Sequence, residues 1–211
     1  MLPDPVRLHD QPRAPNPMRV AVFLAEKGIE IERVTVDLMA GEHKRDAYLA
    51  RAGAAQVPAL ELSDSTALTE TQAICRYLEA LHPEPNLMGR DPLEAALIEM
   101  WQRRVEFGLF AAVAQTFRHT NPRMAALEDQ CSDWGEVNRA RIDGHLRALD
   151  ARLSGRDWIA ADRPTVADIT AIVAVNFRRI IRHEMPEGLA ALEAWRDRML
   201  ERPSAQVLEA R

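Results

Sequence analysis

Cysteine and tyrosine are scarce in this chain of 211 residues. It contains 2 cysteines, 2 tyrosines and 6 histidines. The cysteines, Cys75 and Cys131, are too few for a disulfide framework and suit a reducing compartment. Neither the cysteines nor the histidines show a zinc-ligand spacing such as Cys-x-x-Cys. We therefore predict a cytoplasmic protein that binds no metal ion.

Long apolar runs and an excess of basic charge are also missing. No apolar stretch approaches the roughly 18–20 residues that span a bilayer, and the proline-rich start lacks the apolar segment of a signal peptide. The formal charge is −5, from 27 basic and 32 acidic residues, whereas nucleic-acid binding favours a basic excess. We therefore expect neither a membrane nor a nucleic acid as a partner.

The remaining composition is that of an ordinary folded protein. Apolar residues make up 47% of the chain and charged residues 28%, which excludes intrinsic disorder. A chain of this length buries roughly 70% of the surface that its unfolded form exposes. It is long enough for one large domain or two small ones.

The first part of the chain alternates between strand and helix patterns. Strand patterns with apolar alternation or an opening proline occur at Pro5–His9, Ile29–Val36, Val57–Leu62 and Thr66–Leu68. Helix patterns occur from Pro17 to Gly28, around Asp46–Arg51, and from Thr69 or Glu70 to Leu81. The predicted order of elements is βαβαββα.

The second part of the chain is helical throughout. From Pro92 to Phe117 apolar residues recur every four positions, which predicts one continuous helical face that ends before Pro122. Three further helices are predicted, the last ending before Pro203. We predict a small α/β domain at residues 1–82, a linker at 83–91 and an all-helical domain at 92–211.

Three short segments stand out within this pattern. They are Gln56-Val57-Pro58-Ala59-Leu60, Leu68-Thr69-Glu70-Thr71-Gln72-Ala73-Ile74 and Thr165-Val166-Ala167-Asp168-Ile169-Thr170. Each is a weak signal alone, but all three in this order, at this length and in this α/β-then-helical arrangement, are specific. From Arg7 to Pro203 the chain resembles the glutathione S-transferase family. The resemblance implies a thioredoxin-like N-terminal domain, a helical C-terminal domain, a homodimer, and glutathione as co-substrate.

The resemblance also implies which residues bind glutathione. The Val57–Pro58 peptide would be cis and would present the Val57 backbone to a peptide-like ligand. Glu70 and Thr71 would lie at a helix N-terminus, where exposed N–H groups favour the carboxylate of the γ-glutamyl group. A basic residue after Gly41 would hold the glycine carboxylate. The implied glutathione-binding residues are His43, Lys44, Gln56, Val57, Pro58, Glu70 and Thr71.

The side chain with which most family members ionise the glutathione thiol is missing. They carry Tyr, Ser or Cys in the loop after the first strand, but residues 1–34 contain no Ser, Thr, Tyr or Cys. The chain resembles an atypical subgroup in which a Ser and a His of the second domain hold an activating water molecule. The matching places here carry Ala114 and Arg118, and His119 follows.

Several routes to a stabilised thiolate therefore stay open. The helix from Pro17 points its positive end at the loop, Asn16 can donate a hydrogen bond, and Arg13 or Arg19 can add positive potential. Thr116 and His119 would rebuild the water site, or Arg118 would act on the thiolate directly. The catalytic candidates are Asn16, Arg118 and His119.

We predict a cytoplasmic homodimeric glutathione S-transferase that adds the glutathione thiolate to small apolar electrophiles. One alternative is a glutathione-dependent isomerase, dehalogenase or peroxidase, although a loop without cysteine disfavours the redox reactions. Another is a non-catalytic glutathione-binding interaction module, since a fold alone does not establish activity.

Thr165 and Asp168 have the spacing of a helix capping box. We assign them a structural role, also in the resembling family. Replacement of Asp168 by Ala is expected to cost about 1 kcal/mol or more for the lost cap.

Overall fold

The chain forms two compact units with different secondary structure. The computed structural model describes residues 2–209. Residues 2–85 together with 206–209 form one unit, termed the α/β unit, and residues 86–205 form the other, termed the helical unit. The first and last predicted domain limits, residues 1 and 211, lie outside the described residues. Within the described range no helix is long and apolar enough to cross a membrane, and no group of three or more His, Cys, Asp or Glu side chains is arranged to hold a metal ion.

The α/β unit contains a four-stranded sheet with the strand order β2-β1-β3-β4. Its elements are β1 (Pro5–Asp10), α1 (Pro15–Lys27), β2 (Glu32–Thr35), α2 (Asp46–Ala52), β3 (Ala59–Leu62), β4 (Ala67–Thr69) and α3 (Thr71–Leu81), with a 3₁₀ turn at Glu42–Lys44. β1 runs parallel to β2, and the other neighbouring pairs are antiparallel. The predicted order βαβαββα is confirmed.

Helix α1 begins and ends at the residues that suit its termini. Pro15 is its first residue, so the helix starts two residues before the predicted Pro17. It ends at Gly28, whose φ of 63° is accessible to glycine without steric cost. The buried Lys27 ammonium lies 2.5 Å from Glu79 and donates to the carbonyls of His82 and Pro85. These contacts fasten the end of α1 to the end of α3.

Five long helices form most of the helical unit. They are α4 (Pro92–Val105), α5 (Ala111–Thr120), α6 (Ser132–Leu153), α7 (Val166–Phe177) and α8 (Ala190–Leu200). Short 3₁₀ turns lie at Pro122–Ala126, Arg178–Ile181 and Pro203–Ala205. The last element, α9 (Gln206–Glu209), packs against α1 in the α/β unit, although the predicted ranges place it in the helical domain.

The prediction of one continuous apolar helical face from Pro92 to Phe117 is wrong for the first half of this segment. Leu93 and Leu97 are 70% and 41% exposed, whereas Leu109 and Val113 are 3% and 1% exposed. A repeat of four residues is longer than the 3.6 residues of an α-helical turn, so the apolar positions drift around the axis. A π-helical turn at Glu106–Phe110 separates α4 from α5 and resets the direction of the side chains.

Asp168 is the polar centre of the helical unit. It is fully buried and completes the predicted capping box with Thr165. Its carboxylate accepts the N–H and the hydroxyl of Thr165, each at 2.9 Å. It also accepts the Ile159 N–H at 3.0 Å and the Trp195 indole N–H at 2.9 Å. One carboxylate therefore connects the start of α7, the loop before it and α8.

We expect Asp168→Ala to lower the free energy of unfolding by about 3–5 kcal/mol, because several buried donors lose their acceptor. This loss exceeds the value expected for a cap alone, and urea denaturation measures it. The control is Asp162→Ala, since the Asp162 side chain is 82% exposed and its loss should change stability by less than about 0.5 kcal/mol. A change within about 1 kcal/mol for Asp168→Ala would contradict the central role of this carboxylate.

Candidate functional site

Strand pairing brings four loops to one edge of the α/β unit. In β1, His9 lies opposite Val34 of the parallel strand β2 and opposite Ala59 of the antiparallel strand β3. Ala59 in turn lies opposite Thr69 of β4. The carboxyl ends of β1, β2 and β4 and the amino end of β3 therefore share one edge of the sheet. The residues that follow or precede these ends form the candidate site.

The register of β3 with β4 places two of the predicted motifs side by side. Because Ala59 pairs with Thr69 in antiparallel strands, Val57–Pro58 lies beside Glu70–Thr71. The Val57–Pro58 peptide is cis, as the resemblance implies. The N–H and C=O of Val57 make no backbone hydrogen bond to any residue in the range 2–209. They are available to an extended ligand that pairs like an additional strand.

The start of α3 is suited to an anion. Glu70 has a φ of 64°, a conformation that side-chain-bearing residues rarely adopt and that clusters at functional sites. Thr71 is the first helical residue and is buried, whereas Glu70 is exposed. The first turn of α3 carries no acidic side chain, and the Glu70 side chain makes no capping hydrogen bond, so the positive end of the helix dipole favours an anion there.

His43 and Lys44 lie in the 3₁₀ turn that follows β2. His43 is 7% exposed, and its Nδ1 has no hydrogen-bond partner among the described residues. Burial and, to a smaller extent, the charge of Lys44 lower the pKa of His43, so its imidazole is neutral at pH 7. Lys44 is exposed. The turn therefore offers one buried ring nitrogen and one solvent-exposed ammonium.

Asn16 is the second residue of α1, directly after the loop from β1. Its Oδ1 accepts a hydrogen bond from Arg19 at 3.1 Å, while its Nδ2 donates to no residue in the described part of the chain. Arg19 itself is 2% exposed and Arg13 is exposed. Asn16 is therefore partly buried and has a free N–H donor at the start of α1.

The other two catalytic candidates, Arg118 and His119, lie near the end of α5 in the helical unit. The Arg118 guanidinium is 2.9 Å from the Glu128 carboxylate, and its side chain is 47% exposed. Nδ1 of His119 accepts the Cys131 backbone N–H at 3.1 Å. Since Nδ1 is occupied as an acceptor, Nε2 is the ring nitrogen that remains for another partner.

Thr116 is not placed as the water-site route requires. It is 0% exposed, and its hydroxyl donates to the Ala112 carbonyl at 2.8 Å within the same helix. This hydrogen bond disfavours the route in which Thr116 and His119 together hold an activating water molecule.

Tyr48 is a supporting residue that the sequence patterns do not single out. Its hydroxyl donates to the carbonyl of Gln56, the residue before the cis Val57–Pro58 peptide. Burial raises the pKa of Tyr48 to about 12, so this donor stays protonated at neutral pH. The exposed side chain of Gln56 lies at the same turn. The one sequence signal was rarity, since Tyr48 is one of 2 tyrosines.

A buried carboxylate at the end of β1 is the other residue that pattern does not reveal. Asp10 is 0% exposed, and its Oδ2 accepts from Nε of Arg33 at 2.7 Å. Its Oδ1 has no partner among residues 2–209. Burial raises the pKa of Asp10, and Arg33 opposes that rise. The Val36 N–H also donates to the Asp10 carbonyl at 2.7 Å. These contacts hold the end of β1, where the loop that leads to α1 begins, against β2 and the residue that follows it.

Comparison with known families gives a consistent result for both parts of the chain. The model of the glutathione S-transferase N-terminal domain matches residues 14–81, and that of the glutathione S-transferase C-terminal domain matches residues 135–203. Glutathione S-transferase 2 of Saccharomyces cerevisiae is 36% identical over 205 residues, covering 95% of this chain and 88% of the relative. The chain belongs to the glutathione S-transferase family.

The chain also shares its fold with solved glutathione S-transferases. Gtt2 of Saccharomyces cerevisiae has a TM-score of 0.90 at 36% identity, covering 96% of this chain and 100% of that chain. A Gtt2-class glutathione S-transferase of Vibrio parahaemolyticus has a TM-score of 0.84 at 33% identity, covering 97% and 99%. The predicted family, the thioredoxin-like and helical fold, and the prediction of a glutathione transferase enzyme are confirmed.

Not all similar proteins carry the transferase name. Maleylacetoacetate isomerase of Pseudomonas aeruginosa is 30% identical over 173 residues, covering 78% of this chain and 77% of the relative. The family therefore includes relatives named for a different reaction.

We expect the affinity for S-methylglutathione, which has no thiol to titrate, to rise as the pH falls from 7.5 to 5.5. A carboxylate that binds at His43 favours the imidazolium, whose pKa in the free protein lies below its ordinary value. The dissociation constant should fall by up to about tenfold per unit of pKa shift on binding, and calorimetry at several pH values measures it.

His43→Gln should remove this pH dependence. The matched control is Lys44→Gln, which should weaken binding but keep the rise in affinity towards low pH, because His43 is still present and a lysine ammonium does not titrate in this range. An unchanged pH profile in His43→Gln would show that His43 does not contact the glycine carboxylate.

Proposed function

We propose that the protein conjugates the glutathione thiolate to small apolar electrophiles. The observation that carries this proposal is the juxtaposition of Val57–Pro58 with Glu70–Thr71 at one sheet edge, imposed by the pairing of Ala59 with Thr69. Family membership supports the transferase chemistry, and the apolar nature of the second substrate is the finer part of the proposal.

Glutathione would use each feature of this edge for a different part of its structure. Its γ-glutamyl carboxylate would accept hydrogen bonds from Thr71 at the start of α3, and Glu70 would face the α-ammonium. Its cysteinyl backbone would pair with the free N–H and C=O of Val57. Its glycine carboxylate would lie towards His43, Lys44 and the side chain of Gln56. Pro58 would hold this turn in shape, with Tyr48 hydrogen-bonded to the Gln56 carbonyl.

Catalysis requires that the bound thiol ionise near neutral pH. A free thiol has a pKa of about 8.5, and a decrease of about two units needs about 2.7 kcal/mol of preferential thiolate stabilisation. We assign Asn16 as the main hydrogen-bond donor to the thiolate. Its Nδ2 is free, while Arg19 donates to its Oδ1. The positive end of α1 adds to this effect. Arg118 and His119 are the competing candidates.

The proposed reaction is a nucleophilic attack. The sulfur of the thiolate forms a bond to the electrophilic carbon, and the leaving group departs with its electron pair or an activated double bond takes up a proton. The proton of the thiol goes to solvent when glutathione binds as thiolate. No oxidant or metal ion is consumed in this scheme.

The deciding experiment is a spectroscopic titration of the thiolate of bound glutathione. We expect the bound thiol of the unaltered protein to titrate about two pH units below free glutathione, and Asn16→Ala to raise this pKa by about one unit, the effect of losing one hydrogen bond to a charged group. Gln11→Ala in the same loop is the control and should leave the pKa unchanged.

The other outcomes separate the alternatives. If Arg118→Gln or His119→Gln raises the thiol pKa and Asn16→Ala does not, the activating group belongs to the helical unit. A bound thiol that titrates like free glutathione excludes the transferase proposal. Complete absence of glutathione binding also excludes a glutathione-binding module and favours a module that binds another partner.

A glutathione-dependent isomerase is the second candidate, because a maleylacetoacetate isomerase is 30% identical over 78% of this chain. An isomerase regenerates glutathione, whereas a transferase consumes it. Measuring glutathione during turnover therefore distinguishes the two reactions. Dehalogenase and peroxidase activities remain less favoured, since the loop before α1 contains no cysteine.

We also propose a homodimer that buries the exposed apolar stripe of α4. Leu93, Leu97 and Met100 lie on one helical face and are 70%, 41% and 37% exposed, which is unusual for side chains of this kind in a monomer. Leu97→Glu should shift the mass measured by sedimentation to that of a monomer. The control Ala151→Glu, at an exposed position of α6, should stay dimeric, and an unchanged mass for Leu97→Glu would exclude this face.

A further inference from the structure

The segment that joins α2 to β3 receives little support from its own backbone. Residues 54–57 lie outside the helices and strands, and no backbone–backbone hydrogen bond in the range 2–209 involves any of them. The described chain gives this backbone one hydrogen bond, from the Tyr48 hydroxyl to the Gln56 carbonyl. The direction of the peptide between Gln56 and Val57 therefore depends on Tyr48.

The Tyr48 ring is itself fixed from several sides. It is 9% exposed and belongs to a buried cluster with Val36, Ala52 and Ala59, termed the Tyr48 cluster. The His9 ring of β1 stands nearly perpendicular to the Tyr48 ring, at an angle of 89° and with 6.0 Å between the centroids. Residues from α2, β1, β3 and the position after β2 thus hold the hydroxyl in one place.

The hydrogen bond from Tyr48 also determines where the Val57 N–H points. The peptide between Gln56 and Val57 is trans, and the C=O and N–H of a trans peptide point in opposite directions. Since the Gln56 carbonyl points at the buried Tyr48 hydroxyl, the Val57 N–H points away from it. The Val57 side chain packs against the Tyr48 cluster, which further restricts rotation of this peptide.

We propose that Tyr48 is a positioning residue for glutathione, because it aims the Val57 N–H at the carbonyl of the cysteinyl residue of the ligand. This inference rests on the proposed function, in which the cysteinyl backbone pairs with Val57. It adds a consequence for ligand selection. The Tyr48 hydroxyl favours only those ligands that present a hydrogen-bond acceptor opposite Val57.

The physical basis of the effect is preorganisation. Without the hydroxyl, the Gln56 carbonyl would turn towards water, since no other hydrogen bond in the described chain holds this peptide. The peptide would then populate several orientations, and the ligand would bind only the fraction in which the Val57 N–H points towards it.

The test is a calorimetric cycle at pH 7.5 with Tyr48→Phe, which keeps the ring and removes the hydroxyl. One ligand is S-methylglutathione. The other is the same molecule with an (E)-alkene in place of the amide between its cysteinyl and glycyl residues, so that the acceptor carbonyl is missing. Tyr48→Phe should weaken S-methylglutathione by about threefold to tenfold, the effect of one hydrogen bond. It should weaken the alkene analogue by less than about twofold.

Tyr77→Phe is the matched control within the same unit. The Tyr77 hydroxyl donates to the Pro3 carbonyl, so this variant also takes a tyrosine hydroxyl away from a backbone carbonyl. A general loss of stability would affect both variants alike. Tyr77→Phe should leave the affinity for both ligands unchanged.

Hydrogen exchange of the Val57 amide provides a second readout. In the unaltered protein, saturating S-methylglutathione should slow the exchange of the Val57 N–H, and the alkene analogue should not. At equal occupancy by S-methylglutathione, the slowing should be smaller in Tyr48→Phe, because fewer molecules direct this N–H at the ligand.

Two results would overturn the proposal and leave the proposed function intact. One is an equal loss of affinity for both ligands in Tyr48→Phe, which would make the hydroxyl a structural support alone. The other is an unchanged affinity of Tyr48→Phe for S-methylglutathione. If the unaltered protein binds neither ligand, the positioning role and the proposed function both fail.

Discussion

The pairing of β1 with a strand on each side is the constraint on which the candidate site depends. The parallel partner β2 brings the turn with His43 to the end of β1, and the antiparallel partner β3 brings Val57 and Pro58 there. Since β4 continues the sheet in antiparallel register, the start of α3 arrives at the same edge. Segments that are separated by tens of residues thus become neighbours through backbone hydrogen bonds alone. The site is a consequence of register, and a one-residue slip would separate its motifs.

Charged side chains connect neighbouring secondary-structure elements in both units. Lys27 and Glu79 join α1 to α3, Asp10 and Arg33 hold the loop before α1, and Asp168 collects the donors around α7. Each of these groups has a partner of opposite charge or several hydrogen-bond donors, as burial requires. Arg178 differs because a single neutral carbonyl is its hydrogen-bond partner in the described chain. The four hydrogen bonds that Asp168 accepts agree with a structural role for its carboxylate.

Much of the fold could be predicted because local chemistry and tertiary structure agree. Pro15 and Gly28 suit the ends of α1, and Thr165 with Asp168 suits the start of α7. The four-residue repeat after Pro92 misled the prediction, since its first positions are exposed on α4 and its later positions are buried beyond the π turn. Tyr48 and Arg33 could not be predicted as supports of the site. Their partners, the Gln56 carbonyl and the Asp10 carboxylate, become neighbours only in the folded chain.

The sequence by itself determined the α/β-then-helical order, the motifs of the family and the absence of a hydroxyl or thiol activator before Thr35. These properties are local, because composition, periodicity and short motifs do not depend on distant contacts. Only the tertiary structure decided that Val57–Pro58 lies beside Glu70–Thr71. It also decided that the Thr116 hydroxyl is hydrogen-bonded within its own helix and that Arg178 is buried without a counter-charge. Register, burial and electrostatic compensation arise between residues far apart in the chain, so no local pattern contains them.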